Sequence, residues 1–161
     1  MIRPLTPSDR NAVSLLLQAT GVFSREEHRV AMELVDEILQ KGAASGYRGF
    51  GFYGTDRTLF GYICFGPVPM TAHSFDLYWI AVDPGTARRG IGSKLLAFME
   101  ASITDQGGGT VYIETSSTAP YEAARALYRK HGYSLAAVLK DFYRDKDNKL
   151  VFRKEIMACE K

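Results

Sequence analysis

Apolar positions recur along the chain with two periods, and the changes of period mark its elements. Ile2–Leu5 reads as a short first strand, and Pro7-Ser8-Asp9 opens a helix with Val13, Leu16 and Leu17 on one side. Ser24-Arg25-Glu26-Glu27 has capping-box form. The helix it starts sets Ala31, Leu34, Val35, Ile38 and Leu39 at helical spacing and stops at Gly42. Strands follow near Tyr47–Tyr53 and Thr58–Gly66, joined through Gly54-Thr55-Asp56-Arg57. Phe75–Val82, FDLYWIAV, is nearly unbroken apolar sequence and predicts a central strand covered on both faces. A helix over Gly90–Gln106 carries Ile91, Leu95, Leu96, Met99 and Ile103 as one stripe, and Gly107-Gly108-Gly109 closes it. Thr110–Thr115 is the next strand. Pro120 begins a last helix with Ala124, Leu127, Tyr128 and His131 in register, and Gly132 stops it. Tyr133–Leu139 and Lys149–Ile156 pair through Asp145-Lys146-Asp147-Asn148. The order β-α-α-β-β-β-α-β-α-β-β predicts one mixed α/β layer structure, a single domain over residues 1–161.

Composition narrows the class. A length of 161 residues suits one domain, and 46% hydrophobic residues suffice for a core. A formal charge of +2, spread without like-charge blocks, gives no basis for a nucleic-acid or membrane partner. Two cysteines do not make a disulfide framework, so a reduced, cytoplasmic setting is expected. No apolar stretch has signal-peptide length, and none approaches the ~20 residues that span a bilayer.

The chemistry begins after the apolar strand, where the chain turns through Gly85-Thr86-Ala87-Arg88-Arg89-Gly90-Ile91-Gly92 into a helix. Glycine lets backbone approach a ligand, and the first helical amides have no partner within the helix. With the helix dipole they form an anion site, to which Arg88 and Arg89 add charge and Ser93 a donor. The dinucleotide fingerprint fails because Leu95 stands where its third glycine belongs. The P-loop fails because Ile91-Gly92 stands where Lys-Ser/Thr must follow. Read alone, the turn is also compatible with a helix start whose glycines bind nothing.

A third scheme rests on two motifs. Ile80-Ala81-Val82-Asp83-Pro84 followed by Arg88-Arg89-Gly90-Ile91-Gly92-Ser93-Lys94-Leu95-Leu96 resembles the acetyl-CoA motif of the GNAT family of N-acetyltransferases, Gln/Arg-x-x-Gly-x-Gly/Ala. Ala124-Arg125-Ala126-Leu127-Tyr128-Arg129-Lys130-His131-Gly132-Tyr133 is similar to that family's second motif, A-x-x-L-Y-x-x-x-G-F/Y. Ala87 stands where the first motif usually has Gln or Arg, and Tyr121 where the second often begins with Asn. The resemblance covers essentially the whole chain. It implies the acyl-CoA N-acyltransferase fold, a single mixed, mostly antiparallel sheet flanked by helices. It also implies acetyl-CoA as co-substrate, a primary amine on a small molecule, peptide or protein as acceptor, and no metal. Carried over, Ile80, Ala81 and Val82 pair with the pantetheine arm, and the amides of Arg88, Arg89, Gly90, Ile91, Gly92 and Ser93 hold the pyrophosphate. A homodimer is compatible with this reading.

Acyl transfer to an amine moves two protons. An amine with a pKa near 10.4 is mostly protonated at neutral pH, which withholds roughly 4–5 kcal/mol of reactivity, and CoA thiolate must be stabilised as it leaves. The motif tyrosine Tyr128 is the acid candidate; its other reading is a core aromatic. Asp76, the one charged residue in FDLYWIAV, is the base candidate, on the face of Tyr78, Ile80 and Val82. Its other reading is a strand aspartate satisfied by backbone. Glu114 is the reserve base, and Tyr78 a relay or a packing residue. His28, His73 and His131 share no metal-ligand spacing. Arg144–Lys149 reads as a solvated turn, Phe142-Tyr143 as a pocket floor or a cap on the core, and residues 21–46 as the wall of the acceptor site. A non-catalytic CoA-binding or regulatory module and, more remotely, a nucleotide-binding protein are the competing readings.

Overall fold

In the computed structural model, which describes residues 1–159, the elements follow the predicted order. They are β1 (Ile2–Pro4), α1 (Arg10–Ala19), α2 (Arg25–Lys41), β2 (Arg48–Tyr53), β3 (Leu59–Pro67), β4 (Ser74–Val82), α3 (Ile91–Thr104), β5 (Gly109–Ser116), α4 (Glu122–Lys130), β6 (Ser134–Arg144) and β7 (Asp147–Ile156). The strands form one seven-stranded sheet in the order β1-β2-β3-β4-β5-β7-β6. It is mixed: β4 pairs with β5 in parallel, whereas β1/β2, β2/β3, β5/β7 and β6/β7 are antiparallel. The chain divides into two compact units, Met1–Gly66 with Tyr78–Leu95, and Pro67–Leu77 with the segment from Leu96 onward.

In the first unit the predicted apolar stripes become the core. Val13, Leu16 and Leu17 of α1 and Ala31, Met32, Val35 and Ile38 of α2 close on Tyr62 and Cys64 of β3 and Ala81 of β4. Leu34 and Leu39, expected in the α2 stripe, are only partly buried, and Met32 takes the inner place. The capping box at Ser24 forms on both sides. Ser24 Oγ accepts from the Glu27 amide at 3.1 Å, and the Ser24 amide donates to Glu27 Oε2 at 2.7 Å. A cap of this kind is worth ~1 kcal/mol. Gly61 is a close-approach glycine, since a Cβ there would lie 2.8 Å from Ile91 Cγ2 and 3.0 Å from Leu95 Cδ1. Its bare backbone lets the first turn of α3 rest directly on β3.

The second unit is a ladder with two unlike faces. Ser74, Phe75, Asp76 and Leu77 pair with Thr110, Val111, Tyr112 and Ile113, and β5 pairs along its length with β7. Side chains alternate between faces. Phe75, Leu77, Val111, Ile113 and Phe152 are buried on one, with Leu96, Met99 and Ile103 of α3 also buried. Asp76, Tyr112, Glu114, Lys149 and Val151 occupy the other.

Three expectations change. β4 alternates buried and half-buried positions instead of being covered on both faces, because its second face carries Asp76 and Tyr78. The β6/β7 hairpin is longer than the apolar pattern indicates: β6 continues to Arg144 and β7 starts at Asp147. Phe142 and Tyr143 therefore do not cap the core; they stay 51% and 44% exposed on β6. Within the expected solvated turn, Asp147 is buried and accepts from Ser116 Oγ.

Candidate functional site

The glycine turn lies in the first unit. Asp83 anchors it: its amide donates to Phe60 O at 2.9 Å, and its side chain accepts from the Gly85 amide at 3.0 Å. Thr86, buried within the turn, donates its hydroxyl to Asp83 O at 2.9 Å. Arg88 and Gly90 have positive φ, 69° and 71°. Nothing lies within 4 Å of a Cβ built on Gly90, so its glycine serves the backbone conformation and not crowding. The internal helix ladder is under way at Lys94, whose amide bonds Gly90 O at 3.0 Å. The amides of Ile91, Gly92 and Ser93 precede it, in the part of a helix where amides lack intrahelical acceptors. Arg89 differs from its neighbours in the predicted anion set: its amide is already bonded to Thr86 O at 3.2 Å. Ile91 is buried, which fixes the turn, while Arg88, Arg89 and Gly90 are exposed. Ile80, Ala81 and Val82 lead straight into this turn at the end of β4.

The titratable candidates lie in the second unit. Asp76 is half-buried opposite Tyr112, and Glu114 is two positions further along β5 on the same face. Glu114 Oε2 meets Lys149 Nζ at 2.7 Å, and the same ammonium stands 4.3 Å from the centre of the Phe142 ring. Burial raises the Asp76 carboxyl above its ordinary value; the Glu114 charge adds to this and the Lys149 charge opposes it. The structure thus brings both base candidates onto one face, with a lysine between them electrostatically.

Tyr128 lies on the other face. It projects from α4 and packs on Phe152, with ring centroids 6.0 Å apart, and on Tyr133 at 6.3 Å. Phe152 pairs with Ile113 and so points away from the face of Glu114 and Lys149. Burial pushes the Tyr128 phenol far above its usual value, so the group remains a protonated donor. Acid and base candidates therefore sit on opposite faces of one ladder. Tyr78, the other relay candidate, packs edge-on against Tyr47 with centroids 5.1 Å apart.

Two residues escaped the sequence reading. Lys149 belonged to an expected solvated turn, and only the β5/β7 register, which sets Lys149 opposite Ser116, places it beside Glu114. Arg125 is buried and bridges Ser116 O at 2.7 Å, Thr118 O at 2.8 Å and Glu122 Oε2 at 2.6 Å, tying α4 to the end of β5. Helix arithmetic puts it three residues before Tyr128 on the same face, which was a usable signal. Elsewhere, burial pushes the Cys64 thiol up to about 12, against a smaller opposing effect of Tyr62, so it is no thiolate nucleophile. His28 is held by Ser14, Nε2 to Oγ 3.1 Å. Among the described residues no three His, Cys, Asp or Glu converge as a metal site, and no helix is long and apolar enough to cross a membrane.

The fold thus holds a parallel β4/β5 ladder, a glycine turn from β4 into α3 and a tyrosine-bearing helix after β5. The model of the GNAT acetyltransferase domain matches residues 50–135, and the chain belongs to this family. Comparison with curated proteins gives no match. Among solved structures, a protein described as a GNAT-family acetyltransferase of Desulfovibrio desulfuricans is 41% identical over 97% of this chain and 98% of its own, with a TM-score of 0.92. Ribosomal-protein-S18-alanine N-acetyltransferase from Escherichia coli shares the fold at 20% identity, covering 100% of this chain and 96% of that one, with a TM-score of 0.79. An aminoglycoside 6′-N-acetyltransferase complexed with coenzyme A shares it at 18% identity over 100% and 99% of the two chains, TM-score 0.76.

Proposed function

We propose that the protein transfers an acetyl group from acetyl-CoA to a primary amine by direct attack of the amine on the thioester. The observation that carries this reading is the turn from Asp83 to Ser93. Its backbone is fixed by Asp83, Thr86 and buried Ile91, while the amides of Ile91, Gly92 and Ser93 precede the helix ladder. That arrangement suits a diphosphate, and the coenzyme A bound in the aminoglycoside enzyme of the same fold supports the choice of ligand. The Ile80–Val82 backbone is the continuation available to an extended, amide-bearing arm.

In this reading Asp76, raised by burial, takes the amine proton directly or through water, and Glu114 is the reserve. Tyr128 acts on the leaving group. Its phenol is a weaker acid than a thiol, so in the transition state it serves as a hydrogen-bond donor to the developing thiolate and keeps its own proton. The β4/β5 pairing ends with Leu77 opposite Ile113, one position from Asp76 on β4 and from Glu114 on β5.

Gly92→Trp tests the donor site. The indole would fill the space over the Gly92 amide, and acetyl-CoA affinity measured by calorimetry is expected to fall by at least about tenfold, or ~1.4 kcal/mol. Undiminished affinity would move the donor elsewhere.

Lys149→Met tests the charge arrangement. Lys149 lowers the Asp76 carboxyl, so its removal raises that group further. A base works only when deprotonated, and the acid limb of kcat/KM is therefore expected to move to higher pH. A limb that stays in place, or moves lower, would detach Lys149 from the base.

A further inference from the structure

Lys149 is set apart from other lysines by where its ammonium rests. It lies on β7, the strand between β5 and β6, opposite Ser116 on one side and Leu139 on the other. Ladders on both sides hold its backbone, so the four-carbon stem leaves from a fixed point. The side chain is 15% exposed, with Nζ 2.7 Å from Glu114 Oε2 and 4.3 Å from the centre of the Phe142 ring. Other ion-paired lysines are placed differently. Lys41 meets Glu37 on the surface of α2, and Lys154, opposite buried Val111, meets Glu100 on the other face of the ladder.

We propose that Lys149 is a modification site of the chain's own activity: without an external amine, the protein transfers an acetyl group from acetyl-CoA to its own Lys149 Nζ. This rests on the reading above, in which Asp76 takes the proton of the acceptor amine. An acceptor nitrogen must then come to the face of Asp76 and Glu114, and Lys149 Nζ is a primary amine already on it. An amine tethered to the fold also reacts without the entropic cost of bringing in a second molecule.

The step balances without a further reactant. A lysine ammonium, with an ordinary pKa near 10.4, first gives up a proton to Asp76, which passes it to water. The freed lone pair attacks the thioester carbonyl carbon, the N–C bond forms, and the C–S bond breaks as CoA thiolate leaves and is then protonated. The products are Nε-acetyl-Lys149 and CoA thiol. The amide nitrogen is neutral, so Glu114 loses its cation. The low exposure of Lys149 separates this reaction from adventitious acetylation, which falls first on exposed lysines such as Lys140 and Lys146.

The full chain, incubated with acetyl-CoA and no amine, is expected to gain one acetyl group by intact mass, and peptide mass spectrometry should place it on Lys149. The rate constant should not change with protein concentration, because donor and acceptor belong to one molecule. Lys149→Arg keeps a cation for Glu114 but offers no amine; it should bind acetyl-CoA in calorimetry and stay unmodified at this position's peptide. Unfolding the wild-type chain in urea should abolish the preference for Lys149. An unmodified Lys149 in a chain that acetylates external amines would overturn this proposal alone. Failure with both Lys149 and every external amine would overturn it together with the reading it rests on. Acetylation of Lys149 that persists equally in urea, or whose rate constant rises in proportion to protein concentration, would also overturn it.

Discussion

Replacing Tyr128 with phenylalanine is expected to lower turnover by about 10²-fold and to change acetyl-CoA affinity little. The substitution removes one oxygen and keeps the ring that packs on Phe152 and Tyr133, so helix position and fold should be retained. What is lost is a buried phenol held protonated by its surroundings. One preorganised donor to a developing negative charge is worth roughly 10²–10³ in kcat, which sets the expected size. Because the donor acts on charge that appears only during transfer, kcat should fall together with kcat/KM, and the calorimetric donor affinity should hold. Turnover equal to wild type would remove Tyr128 from the chemistry and leave it a core aromatic.

Asp76→Asn is the second large effect, also about 10²-fold, the lower end of general-base contributions. Asparagine has nearly the same shape but cannot take a proton, and the position is only half-buried, so stability should be little affected. The sign of the pH dependence adds a second readout. The Asp76 carboxyl is raised by burial and by Glu114, so wild-type kcat/KM should rise with pH through a midpoint higher than that of an unperturbed aspartate. In Asp76→Asn that limb should vanish or take the position set by another group. If the limb survives unchanged while Glu114→Gln abolishes it, Glu114 is the base.

Most of the fold was legible because its local signals agree. The α3 stripe of Ile91, Leu95, Leu96, Met99 and Ile103 is buried in full, and the cap at Ser24 forms with both of its hydrogen bonds. The glycine turn was legible as well, since glycine spacing and the following helix are local facts. What the pattern could not carry was register. Lys149 meets Glu114 only because Ser116 stands opposite Lys149 across two strands that are distant in sequence. The faces of β4 were misread for a related reason: an apolar run shows hydrophobicity without showing that Asp76 and Tyr78 take the second face. The end of β6 was obscured because Lys140 and Asp141 interrupt its apolar pattern, and Asp141 carries a positive φ of 52°. In residues 21–46, the expected acceptor wall, Arg29 pairs with Glu33 and Lys41 with Glu37, i,i+4 contacts that helix spacing alone already allowed.

Release of CoA thiol from acetyl-CoA, followed with a panel of primary amines, tests the central claim most directly. The account predicts amine-dependent release by the wild-type chain, strongly reduced in Tyr128→Phe and Asp76→Asn. Tight acetyl-CoA binding with no release above the rate without protein, whatever the amine, would contradict it and make the chain a CoA-binding module.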